Sequence, residues 1–476
     1  MSTPQRSDAL VFFGATGDLA YKQIFPGLQA LIRRGALDVP VIGVAKSGWS
    51  LEQLRARARD SLEHHGGLDR GAFDKLSSLL RYVDGDYADA ATFERLRREL
   101  GGAARPLHYL AIPPSAFSEV VDGLARAGCA AHARVAVEKP FGRDLASARA
   151  LNVMLHKVFP ERSIFRIDHY LGKEPFLNLL YFRFANRTFE SILNRDYVDN
   201  VQVTMAESFG VQGRGRFYEE TGCIRDVIQN HVLQVMAVLA MDPPVGEDVE
   251  ATRDEKARLF RAIAPLDADH IVRGQFRGYR DEPGVARDSS VETFAAAELH
   301  IESWRWAGVP FFIRAGKCLP TTTFEVRVQL KQPPLDVYRE KSRAPQYFRL
   351  SVGSHTTTLA LGMNVKRPGE AMVGREVELV ASEDQGHDML AYERLLDDAM
   401  RGDASLFARE DAIEAQWRIV NPVLDLKAPP YPYEPGSWGP PEGDRLVASI
   451  EGGWRKPAPP PGPAASNAPS KARRNS

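Results

Sequence analysis

The stretch Ala9–Ala20, ALVFFGATGDLA, decides the fold of this chain. It opens with an uninterrupted apolar run, which is typical of a strand buried on both faces. Gly14–Gly17 predicts a turn, and the apolar spacing after it predicts a helix from Leu19 to Arg34 with Gly35 as its C-terminal stop. A strand, a glycine turn and a helix in this order predict the start of a buried parallel sheet.

The glycine loop itself predicts a phosphate site. Gly14 lets the backbone approach a pyrophosphate, and the free amides where the helix starts, around Asp18 and Leu19, attract its charge. Gly17 follows in a G-x-x-G spacing rather than the G-x-G-x-x-G fingerprint, so a plain strand-to-helix turn is the alternative interpretation. The position of the loop after the first strand of an alternating region favours a dinucleotide.

Residues 1–165 alternate between strand-like and helix-like stretches. Further strands are predicted at 39–44, 81–83, 107–112 and 135–137, and helices at 51–64, 93–100 and 116–127. This alternation predicts a Rossmann-like α/β domain, with a parallel sheet and helices on both faces. We assign residues 1–165 to a dinucleotide-binding domain.

The pattern changes after residue 165. Helices are predicted at 224–241, 251–264, 389–400 and 409–420, and strands at 198–208, 294–300, 310–314, 325–331, 347–350 and 356–361. Several strands follow one another without a helix between them, which predicts a mostly antiparallel sheet. We assign residues 166–455 to a larger α+β domain for substrate binding and oligomerisation. Residues 456–476 are rich in proline and poor in large apolar residues, so we expect a disordered tail.

Charge and composition exclude several classes of function. The chain has 61 Lys and Arg against 62 Asp and Glu, without the basic excess that nucleic-acid binding needs. No uncharged apolar run reaches the ~18 residues that span a bilayer. The first residues do not form a signal peptide, and three well-separated cysteines suit a reducing compartment. We expect a cytoplasmic protein that binds neither nucleic acid nor membrane.

The end of the second predicted strand bears on cofactor choice. Folds specific for NAD usually place an acidic residue there, to hold the ribose hydroxyls. This chain has Lys46, whose charge suits the additional phosphate of NADP. An ordinary surface lysine is the alternative interpretation.

Two charged segments in the second domain predict an anion site. Arg166–Glu174, RIDHYLGKE, follows a strand-like stretch, and His169, Tyr170 and Lys173 can donate hydrogen bonds to a phosphate. Lys317, in RAGKCLP, follows a glycine at a strand end and can reach into a cleft. A solvated charged loop is the alternative for the first segment, and the second is weak alone.

The helix predicted at 224–241 carries a histidine inside its apolar stripe. His231 lies three residues after Ile228 and four before Val235. Such a histidine is often a core residue, but a carboxylate on its far nitrogen would make it a general base. With an α-helical period, Asp226 is expected to face a different side of the helix.

Together these segments resemble the glucose-6-phosphate dehydrogenase family, nearly from end to end. The resemblance rests on GATGDLA and RIDHYLGKE, on Glu138–Gly142 (EKPFG), on Ile224–Gln234 (IRDVIQNHVLQ), on RAGKCLP and on Tyr431–Pro440 (YPYEPGSWGP). RIDHYLGKE is highly specific, and its order relative to EKPFG and the Q-N-H helix makes coincidence implausible.

The resemblance implies a role for each matching residue. His231 would be the general base for the sugar C1 hydroxyl, and Asp168 would orient it. Further substrate-binding positions are a phosphate cradle (His169, Tyr170, Lys173), two carboxylates for sugar hydroxyls (Glu207, Asp226) and two lysines of the cleft (Lys317, Lys139). The implied cofactor positions are Gly14, Gly17, Asp18, Leu19, Lys46 and Lys139, and family members carry a cis peptide before Pro140.

Three positions depart from the family pattern. The family commonly has three basic residues after GDLA, where this chain has Tyr21, Lys22 and Gln23. It also commonly has a basic residue at Thr322 and arginine at Lys46. The two missing cations predict weaker substrate binding or another sugar preference. Lysine instead of arginine predicts a weaker preference for NADP over NAD.

The resemblance implies oxidation of β-D-glucose 6-phosphate to 6-phospho-D-glucono-1,5-lactone, with NADP as cofactor and NAD as a weaker alternative. This is the first step of the oxidative pentose phosphate pathway. No metal is expected in the reaction. The chain is expected to form a homodimer or a homotetramer. One alternative is a dehydrogenase of another aldose 6-phosphate, and a second is a non-catalytic relative that binds sugar phosphates.

Overall fold

A six-stranded parallel sheet forms the N-terminal part of the computed structural model, which describes residues 5–246, 248–335, 337–338, 344–352, 356–384 and 389–457. Its strands are β1 (Ala9–Phe13), β2 (Val41–Ala45), β3 (Leu80–Asp84), β4 (Pro106–Leu110), β5 (Arg134–Glu138) and β6 (Ile164–Ile167). They are ordered β3-β2-β1-β4-β5-β6. The order reverses between β1 and β4, so a crevice opens at the carboxyl ends of these two strands, where doubly wound sheets bind ligands.

Helices connect these strands. They are α1 (Phe25–Arg33), α2 (Leu51–His64), α3 (Arg70–Leu79), α4 (Ala90–Leu100), α5 (Phe117–Arg126) and α6 (Leu145–His156). The helix predicted from Leu19 begins instead as a π-helical turn, Ala20–Ile24, and continues as α1. The sequence did not predict α3 and α6, which begin at side-chain caps on Asp69 and Asp144.

A nine-stranded sheet dominates the second part of the chain, in the order β14-β13-β12-β11-β7-β10-β9-β8-β15. Its strands are β7 (Val198–Ala206), β8 (Ile271–Phe276), β9 (Phe294–His300), β10 (Pro310–Gly316), β11 (Thr323–Leu330), β12 (Tyr347–Val352), β13 (Thr356–Lys366), β14 (Gly374–Asp384) and β15 (Tyr431–Tyr433). Only β7 with β10 and β8 with β15 pair in parallel among the described strands of this sheet. The predicted fold class, Rossmann-like α/β followed by mostly antiparallel α+β, is confirmed.

The helices of this part lie against the sheet and against the N-terminal domain. They are α7 (Glu174–Ala185), α8 (Arg187–Ile192), α9 (Gly215–Cys223), α10 (Leu233–Ala240), α11 (Val249–Ala262), α12 (Ala391–Arg401) and α13 (Glu410–Val420). The Arg34 guanidinium pairs with Glu393 of α12 at 2.6 Å, and the Trp417 indole of α13 donates to the Phe141 carbonyl at 2.8 Å. The chain therefore returns to its first domain.

The domain limits remain a prediction, and the limit expected between residues 165 and 166 falls inside β6. Most of the tail expected to be disordered, residues 458–476, lies outside the described residues. Among the residues that are described, no helix has the length and apolar character needed to cross a membrane.

The helix predicted at 224–241 begins with an unexpected geometry. Ile224–Val232 is π-helical, and only Leu233–Ala240 is α-helical. Gly222 precedes it with a φ of +63°, and a Cβ there would lie 2.5 Å from Glu292 Oε1. That Glu292 oxygen accepts the backbone N–H of Ile224 at 3.1 Å, so it fixes where the helix begins. The π-helix changes which side chains share a face.

Candidate active site

The predicted catalytic residues meet where β6 ends. Asp168 follows β6 and accepts the backbone N–H of Tyr170 at 3.0 Å, which starts the 3₁₀ turn His169–Gly172. Its other contact is His231 of the π-helix, with 2.6 Å between Asp168 Oδ1 and His231 Nδ1. Both side chains are buried. Tertiary structure therefore supplies the carboxylate partner that the helix alone lacked.

The far nitrogen of His231 faces Lys139, the residue before the cis peptide to Pro140. His231 Nε2 lies 3.0 Å from Lys139 Nζ. With Asp168 on Nδ1, the ring carries its proton on Nδ1 and presents the Nε2 lone pair to the cleft. This is the arrangement of a general base held in one tautomer.

Asp226 does not face away from His231 as predicted. Lys139 Nζ lies 3.2 Å from Asp226 Oδ1 and 3.0 Å from His231 Nε2, so one ammonium group reaches both side chains. The prediction was wrong because it assumed an α-helical period. In a π-helix, residues five apart lie one turn apart and share a face.

The charges of the site favour a neutral base beside an ionised carboxylate. Burial lowers the pKa of His231, and Asp168 opposes that shift. Burial also opposes ionisation of Asp168, but its close contact with His231 holds the pKa of Asp168 below its usual range. The pKa of His169 lies well below its usual value through burial and the nearby His231 and Lys139. His169 therefore stays neutral and donates through one ring nitrogen at most.

The predicted phosphate cradle packs directly on the base. The Tyr170 and His169 rings lie 4.2 and 4.9 Å from the His231 ring between centroids. Lys173 Nζ lies 3.8 Å from the centroid of the Tyr170 ring. Tyr170 and Lys173 line a cavity of about 450 Å³ together with Glu207 and Thr322. Tyr170 therefore joins the two groups, because its ring packs on His231 and also lines this cavity.

A second pair of lysine and carboxylate lies at the ends of β7 and β10. Lys317, at the end of β10, lies 2.6 Å from Glu207, which follows β7. The Tyr433 hydroxyl donates to the Lys317 carbonyl at 2.7 Å and so fixes its backbone. Because β7 and β10 are parallel neighbours, their carboxyl ends bring these two residues together. Both predicted carboxylates, Glu207 and Asp226, are therefore paired with a lysine of the cleft.

The glycine loop has the shape of a dinucleotide cradle. Gly14 has a φ of +79°, and a Cβ there would lie 2.3 Å from the Ala111 carbonyl oxygen. The Thr16 and Ser47 hydroxyls lie 2.7 Å apart and join the loop to the end of β2. Gly17 donates to the Gly14 carbonyl at 2.9 Å within the turn. The close approach of the backbone at the β1–β4 crevice fits a pyrophosphate.

Asp18 and Lys46 both lie on the exposed rim of this cradle, and both are paired. Lys22 Nζ lies 3.4 Å from Asp18. Lys46 Nζ lies 2.5 Å from Asp86 Oδ2, in the loop after β3. No acid close to Lys46 in sequence was expected to compete for it, but the parallel strands β2 and β3 end side by side. Tertiary structure therefore places a competing acid beside Lys46.

Sequence reasoning missed a buried carboxyl beneath Lys139. Glu138, the last residue of β5, accepts a hydrogen bond from the Tyr109 hydroxyl of β4. Burial raises the pKa of Glu138 to about 7, against hydrogen bonds from Tyr109 and from Tyr392 of α12 and the charge of Lys139. EKPFG was noticed as a family segment, but only the strand order reveals its tyrosine partners. Asp86 was missed too, although it follows a predicted strand end.

The two positions where a cation of the family pattern is missing, Gln23 and Thr322, occupy different surroundings. Gln23 is exposed within the π-helical turn after the glycine loop. Thr322 lies at the cavity that holds the cradle, and its Oγ1 lies 2.9 Å from the Ser208 hydroxyl and accepts the Ser208 N–H at 3.0 Å. Thr322 is therefore held by a local hydrogen-bond pair and contributes no charge.

Comparison with known proteins agrees with this arrangement. Family models match residues 11–178, described as the NAD-binding domain of glucose-6-phosphate dehydrogenase, and residues 180–455, described as its C-terminal domain. Glucose-6-phosphate 1-dehydrogenase 1 of Mycobacterium tuberculosis is 43% identical over 465 residues, which cover 95% of this chain and 97% of the relative.

Two solved structures superpose over 96% of this chain and the whole of their own. The glucose-6-phosphate 1-dehydrogenase of Mycobacterium avium has a TM-score of 0.90 at 45% identity. A glucose-6-phosphate dehydrogenase in complex with its substrate glucose-6-phosphate has a TM-score of 0.87 at 34% identity. The chain therefore belongs to the glucose-6-phosphate dehydrogenase family.

Proposed function

We propose that this chain oxidises the C1 hydroxyl of β-D-glucose 6-phosphate to 6-phospho-D-glucono-1,5-lactone, with NADP as its preferred cofactor. The observation that carries the proposal is the buried pair of His231 and Asp168, with 2.6 Å between Nδ1 and Oδ1, beside a cationic phosphate cradle. A non-catalytic relative would not need to bury a base together with its carboxylate, since burying charged groups is costly.

The reaction follows from the direction in which His231 faces. Nε2 accepts the proton of the C1 hydroxyl, the C1–H bond breaks with its electron pair, and the C1 carbonyl forms. A nicotinamide dinucleotide, which the Gly14–Gly17 loop would hold, would supply the acceptor for the hydride. Asp168 stabilises the imidazolium that His231 becomes, because the two charges are opposite and buried together.

The remaining groups bind and orient the sugar phosphate. Lys173 and Tyr170 donate to the phosphate, so that the C1 end of the sugar extends toward His231. Asp226 and Glu207 accept hydrogen bonds from sugar hydroxyls, and their contacts with Lys139 and Lys317 keep these carboxylates in position. In the structure, Lys139 Nζ lies 3.0 Å from His231 Nε2, and we infer that the C1 hydroxyl takes its place when the sugar phosphate binds.

A different aldose 6-phosphate is the second candidate substrate. Thr322 lines the cradle cavity where the family commonly carries a cation, and its hydroxyl is bonded to Ser208. Gln23 removes another cation near the cofactor loop. The absorbance change on reduction of NADP or NAD, measured with a panel of hexose 6-phosphates, distinguishes the two candidates.

We also propose a homodimer or homotetramer in the cytoplasm. The edge strand β14 exposes Leu379 and Val380 by 60% and 51%, which suits contact with another subunit better than contact with water. Cys129, Cys223 and Cys318 are all free thiols, which suits a reducing compartment.

Replacement of the base tests the mechanism. His231→Asn should fold, bind substrate and lose roughly 10²–10⁴-fold in turnover, because asparagine keeps polarity but cannot accept the proton. Steady-state kinetics measures the loss. His108→Asn is the matched control, since His108 is also buried but only bonds the Cys129 carbonyl at 2.8 Å. Turnover of His231→Asn near that of the parent would make His231 a core residue and refute the mechanism.

The pH dependence of turnover tests the pair. Protonated His231 cannot accept the C1 proton, so turnover is lost as pH falls through its pKa. Because burial lowers that pKa, the loss should lie below the ordinary histidine value of ~6.5. Asp168 raises the pKa of His231, so Asp168→Asn should move the loss to still lower pH and reduce the plateau. An acidic limb that stayed in place in Asp168→Asn would belong to another group.

The phosphate cradle is tested by comparing two substrates. Lys173→Ala should raise the apparent KM for glucose 6-phosphate by about one to two decades, since it removes one charge-assisted hydrogen bond. The weak oxidation of free glucose should hardly change, and neither should the KM for NADP. Thr322→Lys is the reciprocal variant and should lower the KM for glucose 6-phosphate. If Lys173→Ala impaired the oxidation of glucose as much as that of glucose 6-phosphate, Lys173 would not be a phosphate-binding residue.

The pair of Lys46 and Asp86 predicts opposite changes in cofactor choice. Lys46→Ala should lower kcat/KM for NADP by about one to two decades and leave kcat/KM for NAD almost unchanged, because only NADP carries the additional phosphate. Asp86→Ala should raise the NADP to NAD ratio, because it frees the ammonium group from a carboxylate at 2.5 Å. Lys46→Arg should raise it as well, since a guanidinium grips phosphate with two donors.

The matched control for Asp86 is Asp89→Ala, three residues on, because the Asp89 carboxylate caps α4 and does not pair with Lys46 in the described part of the chain. Ratios of kcat/KM for the two cofactors measure the effect. If Lys46→Ala left the ratio unchanged, another part of the pocket would discriminate between the cofactors.

A further inference from the structure

Three side chains with the chemistry of metal ligands meet at one end of β8 and β9. His270 directly precedes β8, and its carbonyl accepts the Glu298 N–H of β9 at 2.9 Å. Glu298 and His300 are two residues apart on β9 and therefore share one face. One ligand atom from each of His270, Glu298 and His300 lies within 4.8 Å of the other two.

This cluster lies away from the active site. Strand β9 begins at Phe294, which pairs with Gly316 beside Lys317, and ends at His300, which pairs with Pro310. Six residues of strand separate these two ends by about 20 Å. The groups that bind the sugar and the groups of the cluster therefore lie at opposite ends of one strand.

A carboxylate fixes the orientation of His270. Asp267 Oδ1 lies 2.8 Å from His270 Nδ1, and it also accepts the backbone N–H groups of Asp269 and His270 at 2.9 and 3.1 Å. With a proton on Nδ1 donated to Asp267, the Nε2 lone pair remains for a ligand. Histidines that bind metals usually donate their other nitrogen to a carboxylate in this way.

The backbone around the cluster is held from several sides. Arg445 donates to the Asp269 carbonyl at 2.5 Å and to the Ile271 carbonyl at 2.8 Å. The Ala264 N–H donates to the His300 carbonyl at 3.0 Å. The His270 and His300 rings meet edge to face, with centroids 5.7 Å apart. Small side-chain rotations are therefore enough to adjust the ligand atoms, and no backbone movement is required.

We propose that His270, Glu298 and His300 bind a Zn²⁺-class transition-metal ion, with Asp267 as the outer carboxylate that orients His270. Two imidazole nitrogens and one carboxylate oxygen suit Zn²⁺, Co²⁺ or Ni²⁺ and leave a position for water. Mg²⁺ and Ca²⁺ require more oxygen ligands than this cluster offers. Bonds of about 2.0–2.1 Å bring tetrahedral ligands to about 3.3 Å from one another, which is within reach from the observed spacing.

The ion would act on stability and not on hydride transfer. It would tie the segment that ends at His270 to strand β9, on the same sheet that carries Lys317 at its other end. An ion that binds only the folded state raises its stability in proportion to the logarithm of the ion concentration. The proposal does not depend on the identity of the sugar substrate.

A second cluster of similar composition provides a control. His156 lies 3.1 Å from Glu161 and 3.3 Å from Glu410. However, Arg166 bonds Glu161 at 2.7 Å, and Arg253 lies 3.7 Å from the same carboxylate. Two guanidinium groups neutralise this carboxylate and repel a cation, so we expect no metal ion there.

The test is titration of untagged full-length protein with Co²⁺, followed by visible absorption and calorimetry. The His231→Asn background is used, because Asp168, His169 and His231 also lie close enough to hold an ion. We expect one Co²⁺ per chain with a visible absorption band, displaced by Zn²⁺. His270→Ala and His300→Ala should each abolish the band, and Asp267→Ala should weaken binding about 10- to 100-fold. His156→Ala should change nothing.

A thermal denaturation series supplies the second readout. Zn²⁺ should raise the midpoint of the parent protein and of His156→Ala, but not that of His270→Ala. Dehydrogenase turnover of His270→Ala and His300→Ala, with His231 intact, should equal that of the parent and shows that these variants fold. Absence of the band in excess Co²⁺, or its persistence in a variant that carries both alanines, would overturn the proposal.

Discussion

The contact between Asp168 and His231 is the constraint on which the rest of the active site depends. Asp168 directly follows the last strand of the parallel sheet, and His231 lies on a helix of the second domain, with 2.6 Å between Asp168 Oδ1 and His231 Nδ1. Neither group tolerates burial as a lone charge, so the two elements must pack together to satisfy both. The same packing brings Lys139, Tyr170 and Lys173 around the base. Formation of the site and docking of the domains are therefore one event.

Charge balance explains how the cleft concentrates several cations. Lys139 lies beside Asp226, and Lys317 lies beside Glu207. Lys173 instead lies over the Tyr170 ring, and burial lowers its pKa. In the proposed function, a sugar phosphate would bring both a dianion for the cradle and hydroxyl groups for the carboxylates. Its binding would then replace internal pairs with pairs to substrate and keep each buried charge compensated.

Opposite charges are also paired at the glycine loop. This pairing explains why part of the site was not predicted from the sequence. Lys46 was found because it follows the second strand, where an acid is usual. Its partner Asp86 follows the third strand, 40 residues later. Parallel strands end at one edge of the sheet, so residues distant in sequence become neighbours there. The contact of Glu138 with Tyr109 escaped for the same reason, since the pairing of β4 with β5 decides it.

The sequence by itself determined the alternation of strands and helices, the glycine loop and the mostly antiparallel second domain, because these depend on local periodicity and residue chemistry. The resemblance to a family supplied several of the candidate site residues, such as Glu207 and Lys139. Tertiary structure alone decided strand order, the docking of α12 and α13 on the first domain, and the π-helix at Ile224–Val232. That helix places Asp226 on the face of His231, contrary to an α-helical period. The physical reason is that strand pairing, buried charge compensation and helix pitch depend on contacts between residues far apart in the chain.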